Sequence, residues 1–163
     1  MNSLVVYYSW TGNTEIAAKA IAAETGADLR ALKEVKERRK ASGFLGAAFG
    51  ALTGSKASLK DPDYSTDAYD TIFIGTPIWA MHSAPPINTW VHNASLHNRD
   101  VYLFTTNATG KSKNVIDSLS KRVRKKGGTV RGSRSIQSER NQKVDPGKVQ
   151  ANIKEWIKKL KLE

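Results

Sequence analysis

The hydrophobic positions of the chain fall into short apolar runs separated by longer amphipathic segments. Apolar runs bounded by polar turns predict strands, and apolar residues spaced three or four positions apart predict helices. The predicted strands are Ser3–Ser9, Asp28–Val35, Tyr69–Thr76, Arg99–Thr106 and Gly128–Ser135. The predicted helices are Thr14–Thr25, Ala84–Asn93, Ser112–Lys126 and Asp145–Leu160. Strands and helices therefore alternate along the chain.

This alternation predicts an α/β fold: a three-layer, doubly wound domain around a five-stranded parallel sheet. The first, third and fourth strands are almost entirely apolar, as expected of strands that helices cover on both faces. Right-handed crossovers restrict the topology, and we predict the strand order 2-1-3-4-5. No break in composition divides the 163 residues, so we expect a single domain over residues 1–163. Ligands are expected at the carboxyl ends of strands 1, 3 and 4.

The loop after the first strand has the composition of an anion site. It consists of Ser9, Trp10, Thr11, Gly12, Asn13 and Thr14. Hydroxyl groups and free backbone N–H groups at the start of a helix attract an anion without any Lys or Arg. The spaced glycines of a Walker loop and of a dinucleotide fingerprint are both missing. The sequence thus predicts a phosphate site, and the alternative is a helix cap joined to a tight turn.

Two further loops follow strands 3 and 4 and are expected beside the first one. The loop after strand 3 reads Thr76, Pro77, Ile78, Trp79 and Ala80. The loop after strand 4 reads Thr106, Asn107, Ala108, Thr109 and Gly110. A Trp at a sheet edge and a loop of small residues would suit two walls around a flat ring. The alternatives are an aromatic side chain tucked against a helix and an ordinary strand-to-helix turn.

The composition excludes several kinds of chemistry. The chain has no Cys, so disulfides, iron–sulfur ligation and thiolate zinc sites are impossible, and redox chemistry would need a bound organic group. No catalytic triad or metal-ligand spacing is visible, and His82, His92 and His97 are expected at the surface. No apolar run is long enough to span a membrane and no signal-peptide pattern is present, so we expect a cytoplasmic location.

The net charge of +11 is confined to the last third of the chain. Residues 111–163 contain 16 Lys or Arg against 5 Asp or Glu, whereas residues 1–110 contain 10 of each. Apolar residues at helical spacing persist in this third, which predicts packed helices with a basic outer face. Such a charge dipole would steer the protein toward proteins with acidic surfaces, the phosphates of NAD(P)H or an anionic membrane surface.

The three loops together resemble those of the flavodoxin family, over essentially the whole chain. The motifs that carry the resemblance are Ser9-x-Thr11-Gly12-x-Thr14 after the first strand and Gly75-Thr76-Pro77-Ile78-Trp79 after the third. The chain is similar to a shorter, divergent group with the second motif. It differs from the familiar acidic flavodoxins in its basic charge, and its third loop lacks the aromatic residue that many of them have there.

This resemblance implies one FMN as the cofactor. It implies that the first loop holds the phosphate through hydroxyl and N–H groups, with Trp10 shielding the ribityl chain. It further implies that Pro77, Ile78 and Trp79 line one side of the isoalloxazine, with Trp79 stacking on it. Thr106 to Gly110 would contact the other side and the pyrimidine edge. The implied function is electron transfer between redox partners.

Two other functions stay open at this point. An NAD(P)H-dependent, FMN-containing reductase of quinones or other small acceptors would need open space beside the ring, which a third loop without an aromatic residue allows. A non-enzymatic protein that binds RNA through its basic face is weakened because no aromatic residues interleave with the basic run.

Two expectations concern particular segments. Lys111 and Lys113 follow the third loop, and a cation close to the ring would favour the anionic reduced flavin. The segment from Phe44 to Leu52 has apolar residues at helical spacing but several glycines, which suits a lid, a dimer patch, a docking surface or a short covering helix. The sequence leaves the oligomeric state open between monomer and dimer.

Overall fold

The computed structural model describes residues 2–35, 56–138 and 142–160. The Phe44–Leu52 segment lies outside these residues. The elements in chain order are β1 (Ser3–Tyr7), α1 (Asn13–Thr25), β2 (Asp28–Ala31), β3 (Thr71–Trp79), β4 (His82–Ser83), α2 (Pro85–Asn93), β5 (Asp100–Asn107), α3 (Lys113–Lys125), β6 (Thr129–Gln137) and α4 (Pro146–Leu160). The four predicted helices are all found, within one residue of the expected ends.

The sheet has the order β2-β1-β3-β5-β6 with parallel pairing throughout, and β4 adds a short antiparallel ladder to the end of β3. The five parallel strands occur in the order 2-1-3-4-5 when β4 is left out. The predicted fold class and strand order are therefore confirmed. The carboxyl ends of β1, β3 and β5 lie next to one another at one edge of the sheet.

Helices cover both faces of the sheet. On one face α2 and α3 bury a core that includes Ile74, Trp90 and Leu119. On the other face α1 and α4 bury Phe73 and Trp156 among others. The predicted three layers follow from this division, because the central strands are apolar on both sides.

The ends of three predicted strands lie within two residues of the observed ends, and two differ by more. The second strand was predicted to reach Val35 but ends at Ala31, because β1, its partner among the described residues, ends at Tyr7. The third was predicted to end at Thr76 but runs on to Trp79, where β4 supplies new backbone partners. Pro77 to Trp79 thus belong to a strand of a hairpin, and their prediction as loop residues was wrong.

In the described ranges, no helix combines the length and the apolar character that crossing a membrane requires.

Candidate functional site

The first loop joins β1 to α1 at the carboxyl edge of the sheet. Gly12 precedes the helix with φ of 94°, a backbone conformation that side chains rarely permit. The N–H of Ile16 donates to the Gly12 carbonyl at 3.0 Å, which is the first bond of the helix. The N–H groups of a first turn lack intrahelical acceptors, and glycine has no side chain to cap them. This end of α1 is therefore suited to an anion.

Ser9 adds a hydroxyl group to the same loop. Its Oγ is buried and has no hydrogen-bond partner among the residues that the structure describes. A buried hydroxyl without a partner costs about 1 to 3 kcal/mol. Because phosphate oxygens accept hydrogen bonds, a bound phosphate would satisfy both this hydroxyl and the N–H groups of the helix. The loop thus fits the phosphate that its sequence predicts.

Asn13 uses its side chain to hold a distant segment. Its Nδ2 donates to the carbonyl of Gln142 at 3.2 Å, and its Oδ1 accepts from the N–H of Val144 at 3.0 Å. These two bonds fix the orientation of the Asn13 amide, and its backbone N–H lies in the first turn of α1. Thr11 is exposed at the outside of the loop, and Trp10 is half-buried.

Thr14 joins the first loop to the third. Its Oγ1 lies 2.8 Å from Oγ1 of Thr106, and both side chains are buried. Each hydroxyl can donate one hydrogen bond and accept others, so this pair keeps some capacity for a ligand. The bond brings together two residues that the sequence assigned to one site.

The second loop is a β-hairpin, which we call the hairpin wall (residues 76–83). Ile78 pairs with Ser83 and Trp79 with His82, and the turn residues Ala80 and Met81 have φ of 45° and 66°. Positive φ at both central residues is typical of the tight turns that suit the twist of a hairpin. Pro77 and Ile78 are half-buried, and Ala80 is exposed.

Thr76 lies inside the hairpin wall and not at its surface. Its side chain is fully buried, and Oγ1 accepts a hydrogen bond from the N–H of Ala84 at 2.9 Å while donating to the Pro77 carbonyl at 2.9 Å. The hydroxyl therefore fixes the entry into α2. The predicted contact of Thr76 with FMN stays a prediction.

Three aromatic rings join the first loop to the hairpin wall. Trp79 meets Tyr8 at 5.6 Å between ring centroids and Trp10 at 5.9 Å, both nearly perpendicular. The hydroxyl of Tyr8 donates to a carboxylate oxygen of Glu34 at 2.7 Å. Trp79 also packs against the core under α2 and α3, so it is in part a core residue. These contacts fix the orientation of its indole.

The third loop forms a different wall, which we call the small-residue wall (residues 106–110). Asn107 is buried and donates from Nδ2 to Oγ of Ser135 at 3.1 Å, while its Oδ1 accepts from the N–H of Thr109 at 3.1 Å. Ala108, Thr109 and Gly110 are exposed. Pro77 pairs in register with Thr106, so the two walls stand side by side.

The two lysines after the small-residue wall differ in their surroundings. Lys113 forms an ion pair of 2.8 Å with Asp117 along α3, and this hydrogen bond raises the pKa of Lys113 above its ordinary value. Lys111 is exposed and precedes the helix. A cleft of about 350 Å³ lies here between the two walls, lined by Met81 and by residues 110–114.

The histidines lie away from this arrangement or at its rim. His92 and His97 are exposed, as predicted, whereas His82 is half-buried because it belongs to β4. Within the described residues no group of three or more His, Asp or Glu side chains could hold a metal ion.

Lys143 is the residue beside the first loop that the sequence did not reveal. Its Cε lies 4.0 Å from the point where a Cβ on Gly12 would stand. Asn13 binds both neighbours of Lys143 in the structure. Because these residues are about 130 positions apart, no local pattern in the sequence reveals the contact.

The order of the sheet, the anion-suited loop and the two walls define a doubly wound α/β protein with its ligand site at the carboxyl edge. A flavodoxin family model matches residues 52–159. This is more than half of the chain, and the chain therefore belongs to the flavodoxin family.

Solved structures share this fold. A candidate flavoprotein from Bacteroides uniformis ATCC 8492 is 23% identical over 96% of this chain and 97% of its own, with a TM-score of 0.78. A flavoprotein from Lactobacillus acidophilus NCFM, solved in complex with FMN, is 26% identical over 82% of this chain and 92% of its own, with a TM-score of 0.68. Oxidised flavodoxin 2 from Bacillus cereus is 18% identical over 98% of this chain and 99% of its own, with a TM-score of 0.59. Among curated proteins no sequence matches.

Proposed function

We propose that this protein binds one FMN at the carboxyl edge of its sheet and carries electrons between redox partners. The observation that carries the proposal is the buried hydroxyl of Ser9, which has no partner among the described residues, in the loop that leads into α1. A phosphate ester supplies the acceptor oxygens that these donors require. Membership in the flavodoxin family and the FMN complex of the Lactobacillus acidophilus relative support FMN as the source of that phosphate.

The phosphate would be held by the first loop. The hydroxyls of Ser9, Thr11 and Thr14 and the backbone N–H groups of Gly12 and Asn13 supply the donors. Trp10 would shield the chain that links phosphate and ring, since its own ring extends from the loop to contact Trp79. Because these donors are already in position, little conformational entropy is lost when the phosphate binds.

The ring would lie between the two walls. Trp79 is the stacking residue of the hairpin wall, and its two perpendicular aromatic neighbours keep the indole in place. Pro77, Ile78 and Ala80 complete that side. The backbone of Ala108, Thr109 and Gly110 approaches the polar edge of the ring from the other side. FMN, when bound, supplies the electron chemistry, and the chain supplies binding and electrostatics.

The charge of the outer helices supports a partner with an acidic surface. Residues 111–163 carry the whole net charge of +11. In the described part of this region Lys121, Arg122 and Lys125 lie on α3, where Asp117 is the only carboxylate. Opposite charges steer encounters and raise association rates.

A second function has one observation in its favour. The small-residue wall has no aromatic side chain, and the cleft of about 350 Å³ beside it is open to solvent. Such space would admit the nicotinamide of NAD(P)H or a quinone, which makes a small-acceptor reductase the second candidate. An electron carrier does not need this space, because an exposed edge of the flavin ring is enough for electron transfer.

One titration separates these candidates. The purified protein is mixed with FMN, and its visible spectrum is followed during stepwise anaerobic reduction by dithionite and, separately, by NADPH. Binding of FMN with reduction by dithionite alone supports an electron carrier. Rapid bleaching by NADPH supports the reductase. A protein that does not bind FMN at micromolar concentration would contradict both.

A further inference from the structure

We propose that Lys143 is a phosphate-binding residue of this site, so that the chain recognises the phosphate of its flavin by charge as well as by hydroxyl and N–H groups. The inference rests on the proposed FMN site and adds a residue to it. No family motif quoted above includes this position. It changes the expected ligand preference, because a cation beside the first loop favours a phosphorylated flavin over the same flavin without phosphate.

The position of Lys143 follows from the packing at Gly12. The Lys143 Cε lies 4.0 Å from the point where a Cβ on Gly12 would stand, an ordinary contact distance, so the end of this side chain lies beside the loop. The glycine itself is required by its φ of 94°.

The backbone around Lys143 is held in place. Asn13 binds the residue on each side of it, accepting from Val144 N–H at 3.0 Å and donating to the Gln142 carbonyl at 3.2 Å. Val144 is buried, and it packs in the core under α1 and α4. Asn13 is the first residue of α1, so the backbone on both sides of Lys143 is bound to the start of this helix.

The charge of Lys143 is not used elsewhere in the described part of the chain. No carboxylate there lies within ion-pair distance of its ammonium group. The nearest acidic residue in sequence, Asp145, instead accepts a hydrogen bond from the backbone N–H of Lys148. Among the described residues the ammonium therefore keeps its three donors for a ligand at the first loop, which also contains the buried Ser9 hydroxyl.

The test compares FMN with riboflavin, which has the same ring and chain but no phosphate. Dissociation constants are measured by quenching of flavin fluorescence for the wild type, Lys143→Gln, Lys143→Arg and the control Lys154→Gln. Lys154 is exposed on α4 and carries the same charge away from the loop. We expect Lys143→Gln to weaken FMN binding roughly three- to tenfold at low salt and to leave riboflavin binding unchanged.

Lys143→Arg should retain most of the FMN affinity, and Lys154→Gln should change it less than about twofold. High salt should shrink the difference between Lys143→Gln and wild type, because mobile ions screen an exposed charge. Equal losses for FMN and riboflavin would overturn the proposal, since they would mean that the substitution disturbs the fold. Equal losses in Lys143→Gln and Lys154→Gln would also overturn it.

A second measurement keeps this test separate from the proposed function. Inorganic phosphate is titrated into wild type and Lys143→Gln while the amide signal of Gly12 is followed by NMR. A response in wild type that Lys143→Gln weakens supports the proposal even if FMN does not bind. The same response in both proteins, or none in wild type, overturns it.

Discussion

The two walls of the site are built in different ways. In the hairpin wall Thr76 is buried with both of its hydrogen bonds inside the protein, and Trp79 touches two aromatic rings and the core. In the small-residue wall the residues from Ala108 to Gly110 are exposed. The Asn107 side chain connects this loop to the sheet, because it binds both the N–H of Thr109 and the hydroxyl of Ser135. The core therefore determines the shape of the first wall, and local turns determine the second. Substitutions should have larger effects in the hairpin wall.

The largest effect is expected beneath the hairpin wall, at Gly75. A Cβ at this position would lie 2.1 Å from Cζ of the buried Phe104 ring. Gly75→Ala should therefore lower the free energy of unfolding by about 3 kcal/mol, because the ring has no space to move into. Urea denaturation followed by tryptophan fluorescence measures the change.

Gly132 provides the matched control for that substitution. It also lies in a strand, β6, but a Cβ there would be 3.4 Å from the Tyr102 ring, an ordinary contact distance. Gly132→Ala should change the stability by less than about 1 kcal/mol. Similar losses in both variants would show that glycine itself, and not the contact with Phe104, determines the result.

The next effect concerns binding and compares the walls directly. Trp79→Ala should weaken FMN binding by about 1 to 2 kcal/mol, because it removes the aromatic ring that stacks on the flavin. Thr109→Ala in the small-residue wall should change it by less than about 0.5 kcal/mol. Fluorescence titration with FMN measures both. An unchanged affinity in Trp79→Ala would remove that residue from the site.

The difference between the walls also shows what the sequence could predict. The strand order, the helices and the first loop followed from local patterns, because apolar runs and a hydroxyl-rich turn are properties of neighbouring residues. The hairpin wall was missed because the pairing of Trp79 with His82 depends on a turn of two non-glycine residues, Ala80 and Met81, that carries no turn signal. Propensity alone gave no reason to extend a strand through Pro77.

Other side-chain contacts depend on how strands and loops pack, which the sequence does not reveal. The side chain of Thr76 alternates into the protein, a direction set by the register with β5, and its hydroxyl accepts from the N–H of Ala84, the residue before α2. The side chain of Asn13 binds partners about 130 positions away. The predicted contacts of Thr76, Asn13 and the other loop residues with FMN stay predictions.

A smaller effect is expected where the first loop joins the small-residue wall. Thr14→Val or Thr106→Val alone should destabilise the protein by about 1 kcal/mol, because each leaves one buried hydroxyl without its partner. The double variant should lose less than the sum, since no unpaired hydroxyl remains. A double-mutant cycle of urea denaturation measures the coupling. Strict additivity would mean that the 2.8 Å contact contributes nothing to stability.

The smallest effect distinguishes the two lysines that follow the small-residue wall. Lys113 is paired with Asp117, whereas Lys111 has no ion pair in the described ranges. Since the reduced flavin is anionic near neutral pH, an unpaired cation nearby stabilises it and raises the second potential. Lys111→Glu should lower that potential by tens of mV, where about 60 mV corresponds to a factor of ten for one electron.

Lys113→Glu changes the charge by the same two units, because the potential of Asp117 is present before and after the substitution. A spectroelectrochemical titration of the FMN-loaded variants measures both shifts, and the larger shift identifies the lysine that lies closer to the flavin. Equal shifts would mean that the two positions act on the flavin alike. A shift in Lys111→Glu alone would make the small-residue wall the electrostatic side of the site, opposite the aromatic hairpin wall.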